Sequence, residues 1–236
     1  MRKINCRIIS VNVEDKTVLD SIKVLGYSAN RYISRRKIVN EFVNSIKDDR
    51  FKVEIFNAIT PNQFKLENKK DVVFFENNLF TVAERSELYI ANILSHYKIW
   101  QMQEDTLILE DDIIFNRTIF SNVHNILSNL NIQKLKNVIL YLQISRPSCK
   151  LASDKLMTCS SLINEQVGYT DSLDVSGTGA YYISRECKET ILSNMQDLRA
   201  CDNYLDRLRH LGIIKICIPF DKNNMFKLNT DLHWLL

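Results

Sequence analysis

Three consecutive carboxylates, Glu110-Asp111-Asp112, are the sharpest chemical feature of the sequence. They directly follow an apolar run at residues 106–109 that is typical of a short buried strand. Ligands of open α/β sheets bind beyond the carboxyl ends of strands, where clustered carboxylates repel one another unless a cation neutralises them. Because side chains alternate along an extended segment, Glu110 and Asp112 should point the same way and could share one Mn²⁺ or Mg²⁺ ion. A solvated acidic turn that caps the following helix is the alternative.

Three arginines and a histidine could complete an anion site beside these carboxylates. Arg31, Arg35 and Arg36 follow an apolar run at residues 22–27 that we predict to be a strand, and arginine binds phosphate through paired hydrogen bonds. Two of them also open a helical pattern whose outer face should be charged, so at least one could be merely solvated. His96 lies in an apolar-striped helix, where a histidine is more often a hydrogen-bonded structural group than a ligand.

The elements that must position these groups alternate between apolar runs and helical patterns, which favours an α/β domain with a largely parallel sheet. Strands are predicted at residues 6–13, 22–27, 51–58, 106–109, 138–144, 180–183 and 213–219. Helices are predicted around residues 38–46, at 82–102, after the N-cap residue Ser184 and near 202–211. Residues 61–80 show no clear period and predict a surface excursion that a lid or binding loop could occupy.

Composition excludes several classes of protein. Of 236 residues, 45% are hydrophobic and 25% charged, which is the balance of a soluble globular domain and not of a disordered chain. Only 5 Gly and 3 Pro leave few places for a flexible linker, so we expect one domain. The six scattered cysteines form no C-x-x-C pair, which indicates reduced thiols and not a zinc site or a dense disulfide framework. A net charge of +3 without a basic stripe argues against nucleic-acid binding.

Four motifs in the same order make the chain similar to glycosyltransferase family 25, whose members make lipooligosaccharide outer cores. Leu94-Ser-His-Tyr-Lys-Ile-Trp100, followed by Leu109-Glu-Asp-Asp112, resembles the LSH…W…EDD sequence of that family. Residues 56–61 (FNAITP) look like its "aidg" segment, residues 176–184 (SGTGAYYIS) like "GT.aYlis", and residues 201–205 (CDNYL) like "vD..l". The order of four motifs is far more specific than any one of them. Where the family tends to carry Glu-x-Gly, this chain has Tyr89 and Ala91.

The resemblance implies a GT-A type, Rossmann-like fold, with a mostly parallel sheet flanked by helices. One domain would span residues 1–236, with an extra N-terminal strand in 1–20, a nucleotide-binding half at about 21–112 and an acceptor half at about 113–236. The implied reaction is the inverting transfer of a hexose, galactose from UDP-galactose being the commonest in the family, to lipooligosaccharide or another cell-surface saccharide. A divalent cation, Mn²⁺ or Mg²⁺, would be held by Glu110 and Asp112.

The resemblance also implies roles for individual residues. Inversion needs a base for the acceptor hydroxyl proton, and Asp202 is the candidate, although an aspartate at the head of a helix is often only an N-cap. Gly177 and Gly179 would let the backbone approach a sugar, and Thr178 could hydrogen-bond a hydroxyl, unless they form an ordinary turn. The residues expected to bind the nucleotide sugar are Arg31, Arg36, Asn57, Ala58, Ser95, His96, Glu110, Asp111, Gly177 and Thr178.

The sequence also leads to an expected cellular location and leaves two alternative functions open. No apolar stretch reaches the roughly 18–20 residues of a membrane span, so we expect a cytoplasmic protein. A membrane-anchored acceptor would bring it to the cytoplasmic face of the inner membrane, where the basic N-terminal region or Trp234 could make weak peripheral contact. A nucleotidyltransferase is one alternative, although residues 24–27 carry a single glycine and no phosphate loop. A non-catalytic nucleotide-sugar-binding relative, altered at Tyr89 and Ala91, is the other.

Overall fold

A mostly parallel sheet forms the centre of the protein. The computed structural model describes residues 3–67, 71–83, 86–128, 137–144, 157–158, 167–169, 177–219 and 226–227, and its elements are numbered along the chain. Within these residues, eight strands lie side by side in the order β2 (Phe51–Asn57), β1 (Ile4–Ser10), β6 (Thr106–Glu110), β11 (Ala180–Ile183), β7 (Val138–Tyr141), β13 (Lys215–Pro219), β10 (Val167–Tyr169) and β9 (Met157–Thr158). Six of these eight strands point the same way, and β11 and β10 run against them. The predicted α/β class is confirmed.

Helices cover both faces of this sheet. The described helices are α1 (Lys16–Val24), α2 (Ala29–Ser45), α3 (Glu87–Trp100), α4 (Arg117–Ser128), α5 (Arg185–Ser193) and α6 (Cys201–His210), with a 3-10 turn at Pro61–Gln63. Ile108 of β6 packs with α3, α5 and α6, whereas Leu107 and Leu109 pack on the opposite face with α2 and α4. All three side chains are fully buried, which explains the unbroken apolar run of β6. None of the described helices combines the length and apolar character needed to cross a membrane.

The N-terminal segment differs from expectation in one element. The strand predicted at residues 6–13 is confirmed as β1, which pairs with β2 on one side and β6 on the other. The strand predicted at residues 22–27 is wrong, because Ile22 lies in α1, where it is buried together with Val18 four residues earlier. The Asp15 carboxylate starts this helix by accepting the Thr17 N–H at 2.9 Å. Gly26, with φ of 84°, turns the chain after the helix.

A second, smaller sheet occupies the region predicted to be an irregular excursion. Its strands lie in the order β12 (Asp197–Leu198), β5 (Asn78–Val82), β4 (Val72–Phe75) and β3 (Lys65–Glu67). Glu76 and Asn77 form the β4–β5 turn with φ of 46° and 65°, the left-handed pair of a tight hairpin. Val73 and Phe75 are buried in the core that contains α3. The strands of this hairpin are short and its turn contains no glycine, so the sequence pattern does not predict it. A further pair joins β8 (Gln143–Ile144) to β14 (Phe226–Lys227) in parallel.

A buried lysine fixes the segment that leads into β6. Lys188 of α5 is 1% exposed, and its ammonium donates to the Glu104 carbonyl at 2.7 Å and to Thr106 Oγ1 at 2.7 Å. Burial lowers the pKa of Lys188 to about 8, even though Glu104 and Asp105 partly oppose the shift. The lysine therefore ties α5 to the start of the strand that ends in the three carboxylates.

Replacing Lys188 by methionine should destabilise the protein. The Lys188→Met variant keeps most of the side-chain volume but removes the hydrogen bonds to the Glu104 carbonyl and to buried Thr106 Oγ1, so the free energy of unfolding should fall by about 2–4 kcal/mol. Urea denaturation at pH 7 measures this, with Lys37→Met as the control because the Lys37 side chain is 77% exposed. Equal stability of the two variants would show that the Lys188 contacts are energetically neutral.

Candidate active site

The main cleft opens at the carboxyl ends of β1 and β6. β1 pairs in parallel with β2 and with β6, so the chain leaves β1 toward one side of the sheet and enters β6 on the other. Such a reversal of strand order leaves a crevice where α/β proteins bind ligands. The cleft has a volume of about 540 Å³ and is lined by Ser10 and Val11 at the end of β1 and by Glu110, Asp111 and Asp112 at the end of β6 and just after it.

Glu110 is held by three hydrogen-bond donors from two elements. Its Oε1 accepts from Asn92 Nδ2 at 3.0 Å, from Thr178 Oγ1 at 2.8 Å and lies 2.9 Å from His96 Nε2. Burial alone would raise the pKa of Glu110, but the hydrogen bonds from these three side chains outweigh it and hold the pKa below its ordinary value. Glu110 is thus a fixed carboxylate anion.

Asp111 and Asp112 share one buried arginine. Arg35 Nη1 lies 3.1 Å from Asp111 Oδ1, and its Nη2 lies 3.6 Å from Asp112 Oδ2. Burial raises the pKa of both carboxyls, most clearly that of Asp112, whose pKa reaches about 7 because the charge of Glu110 adds to the effect and Arg35 offsets only part of it. Asp112 Oδ1 is buried and accepts no hydrogen bond from any described residue. One carboxylate oxygen at the cleft therefore lacks a protein donor.

The turn before β11 and the start of α6 also line the cleft. Asp202 Oδ2 accepts the Gly177 N–H at 2.9 Å, which ties the helix to the turn. The N-cap residue of α6 is Ala200, so Asp202 lies inside the first turn and is not the cap. A side chain at Gly179 would place its Cβ 2.4 Å from Gln143 Oε1, so the close packing of Gln143 requires glycine there.

Most of the residues expected to bind a nucleotide sugar meet at this cleft, and four do not line it. Arg36 donates to Asn57 Oδ1 at 3.2 Å, and Ser95 Oγ accepts the Ile59 N–H at 2.9 Å, which holds the chain after β2 against α3. The expected residues that line the cleft are Ala58, Ser95, Glu110, Asp111, Asp112, Gly177, Thr178 and Asp202. The described lining does not include Arg31, Arg36, Asn57 or His96.

Three residues of the site were not selected from the sequence. Arg35 was considered with its neighbours, but the pattern could not show which arginine would turn inward. Asn92 precedes His96 by four residues and so shares its helix face, a spacing that could have revealed it. Tyr181, whose hydroxyl lies 2.8 Å from His96 Nδ1, carries no such signal because it belongs to an apolar strand.

The donor set fits a hard divalent cation, although the described residues contain no group of three or more His, Cys, Asp or Glu side chains arranged to hold one. Magnesium is usually bound through one or two carboxylates together with phosphate oxygens of the substrate. The buried, donor-free Oδ1 of Asp112 beside the Glu110 carboxylate meets that requirement. The assignment of Glu110 and Asp112 as ligands stays a prediction.

The raised pKa of Asp112 predicts a stability effect with a definite sign. Between about pH 4 and 7 the folded protein keeps a proton on Asp112 that the unfolded chain releases, so this group's contribution to stability is lost as the pH rises. In EDTA, Asp112→Asn should therefore match the wild type near pH 4 and exceed its free energy of unfolding by roughly 1–3 kcal/mol at pH 8. Thermal or urea unfolding across this range measures the difference. A variant less stable than the wild type at pH 8 would contradict the electrostatic argument.

A family model matches most of the chain. No curated protein matches the chain. The family model of glycosyltransferase family 25, described as an LPS biosynthesis protein, matches residues 23–207. This range contains β2 and β6, all three carboxylates after Leu109, the Gly177-Thr178 turn and Asp202. Because the match covers most of the chain and both walls of the cleft, the protein belongs to glycosyltransferase family 25.

Proposed function

We propose that this protein transfers galactose from UDP-galactose, with inversion, to lipooligosaccharide or another cell-surface saccharide. The observation that carries the proposal is that carboxylates from two separate elements line one cleft. Glu110 and Asp112 lie at and just after the end of β6, and Asp202 lies in the first turn of α6. An inverting transferase needs one group for the leaving diphosphate and another for the attacking hydroxyl, because these lie on opposite faces of the sugar.

The wall formed by β6 would take the diphosphate end of the donor. Asp112, with help from Glu110, would hold Mn²⁺ or Mg²⁺, and the ion would neutralise the charge that develops on the leaving diphosphate. The protein's own contribution is to keep both carboxylates in place, through three donors on Glu110 and through Arg35 on Asp112. Arg31, whose Nε is buried and has no hydrogen-bond partner among the described residues, lies close enough to raise the positive potential there.

Asp202 would act as the base at the start of α6. The acceptor oxygen attacks the anomeric carbon as the bond to the phosphate oxygen breaks, and the hydroxyl proton passes to the Asp202 carboxylate. The electron pair of the broken bond leaves with the nucleoside diphosphate, and the configuration at the anomeric carbon inverts. The Gly177 N–H aims the carboxylate, and Thr178 beside it is within reach of a sugar hydroxyl.

The acceptor and the place of action form the remaining part of the proposal. A lipid-linked saccharide lies at a membrane surface, so the enzyme would work at the cytoplasmic face of the inner membrane with weak peripheral contact. The first fifty residues hold 11 basic and 6 acidic side chains, which would favour an anionic surface. Trp234, also expected to contribute, lies outside the described residues.

Nucleotide release should depend on a divalent cation and on Asp112. With Mn²⁺ and a panel of nucleotide sugars, the protein should release UDP from UDP-galactose by slow hydrolysis, and EDTA or Asp112→Asn should abolish the release. Asp49→Asn is the matched control, because Asp49 is exposed and precedes β2 at the opposite end of the sheet. Release from another sugar nucleotide would correct the donor. Release of pyrophosphate from a nucleoside triphosphate would instead support a nucleotidyltransferase.

Asp202→Asn should separate binding from transfer. Asparagine can still accept the Gly177 N–H, so the wall should keep its shape and UDP should bind as in the wild type. Removal of the base should lower kcat for transfer to a saccharide acceptor by about 10²–10⁴-fold. Calorimetry with UDP and Mn²⁺, together with acceptor kinetics, measures both quantities. Unchanged kcat would rule out Asp202 as the base, and metal-dependent UDP binding without turnover in the wild type would favour a binding module.

A further inference from the structure

A buried chain of hydrogen bonds runs from the core to the carboxylate of Glu110. Trp100 Nε1 donates to the Tyr181 hydroxyl at 3.0 Å, that hydroxyl lies 2.8 Å from His96 Nδ1, and His96 Nε2 lies 2.9 Å from Glu110 Oε1. Trp100, Tyr181 and His96 are each at most 1% exposed. The rings of His96 and Tyr181 are stacked with their centroids 5.6 Å apart, which holds them at a fixed separation. Water therefore has no access to the ring nitrogens.

The two ends of this chain fix the direction of every bond in it. The indole N–H of Trp100 can only donate, so the Tyr181 oxygen must accept from it. The phenol proton then needs an acceptor, and among the described residues the one other polar contact of this hydroxyl is His96 Nδ1. A carboxylate can only accept, so the ring proton of His96 belongs on Nε2, facing Glu110. Burial also raises the pKa of Tyr181 well above its ordinary value, so the phenol keeps its proton.

We propose that Tyr181 and Trp100 lock His96 as the neutral Nε2–H tautomer and so make it a permanent hydrogen-bond donor to Glu110. In this arrangement Tyr181 is a positioning residue that acts through His96 and touches no substrate. His96 cannot serve as a base, because its one free lone pair already accepts the Tyr181 hydroxyl. An N–H at Nδ1 would face the phenol proton in a dry core, so Nδ1 is the nitrogen that accepts.

The fixed His96 tautomer determines which carboxylate oxygens of the site are free to bind a ligand. With Asn92, Thr178 and His96 all donating to Oε1, that oxygen of Glu110 is fully used by the protein. Among the residues that the structure describes, the buried Oδ1 of Asp112 is left without any donor. This consequence for cation binding rests on the proposed function, whereas the tautomer itself does not.

The tautomer can be observed directly in the wild-type protein. In a sample with ¹⁵N-labelled histidine, two-bond proton–nitrogen correlations distinguish a protonated ring nitrogen from one that accepts a hydrogen bond. The chain has four histidines, so the His96 signals can be assigned by their absence from a His96→Gln sample. We expect a protonated Nε2 and an accepting Nδ1 at neutral pH. A protonated Nδ1, alone or with Nε2, would overturn the proposal whether or not the protein transfers sugar.

Two variants test the role of Tyr181 against a merely structural one. Tyr181→Phe should mix the His96 tautomers and raise the Mn²⁺ concentration for half-maximal UDP release by about 10-fold or more. Tyr204→Phe is the matched control, because it also removes a buried hydroxyl, which donates to the Ile191 carbonyl at 2.9 Å, and should change neither readout. If Tyr181→Phe fails to fold, Trp100→Phe removes the first donor and should produce a weaker shift of the same kind.

The possible outcomes distinguish the positioning role of Tyr181 from the proposed transfer activity. Altered tautomers in Tyr181→Phe with an unchanged Mn²⁺ requirement would overturn the positioning role. Equal effects of Tyr181→Phe and Tyr204→Phe would assign both to general loosening of the core, which also overturns it. A locked tautomer in a wild type that releases no nucleotide from any donor would contradict the proposed function and leave the tautomer established.

Discussion

The burial of negative charge at the end of a strand is the constraint on which the cleft depends. Glu110, Asp111 and Asp112 follow one another where β6 leaves a sheet that is covered on both faces, and like charges at this spacing raise one another's pKa. The protein answers with donors from three separate elements: Asn92 and His96 from α3, Thr178 from the turn before β11, and Arg35 from α2. The positions of α2, α3 and that turn are therefore tied to one group of charges.

The buried charges of Glu110 and Asp112 are stabilised to different degrees by the surrounding side chains. Glu110 accepts three side-chain hydrogen bonds on one oxygen, and its pKa is lowered. Asp112 has a buried oxygen without a donor among the described residues, and its pKa is raised. A protein selected for stability alone would gain by replacing Asp112 with a neutral side chain. Such an uncompensated group in a cleft is typical of a functional site.

The surrounding core restricts the positions that the end of β6 can take. β6 is buried between two layers of helices, Lys188 fixes its entry, and the stacked rings of His96 and Tyr181 lie directly beneath its last residue. The Gly177 N–H ties the turn before β11 to Asp202, and Thr178 of the same turn donates to Glu110. This turn therefore connects the start of α6 to the carboxylate that ends β6.

The sequence by itself determined the α/β class, the strand that precedes the carboxylates, the Ser184 cap and the four motifs that identify the family. These follow from local patterns: apolar runs, cap residues and motif order are properties of neighbouring positions. Only the tertiary structure decided that Arg35, and not Arg31 or Arg36, pairs with the carboxylates, that Tyr181 meets His96, and that β3, β4 and β5 form a small sheet. Those outcomes depend on which side chains the packing of α2, α3 and β11 brings within about 3 Å, and contacts between distant segments are not encoded in the spacing along either one.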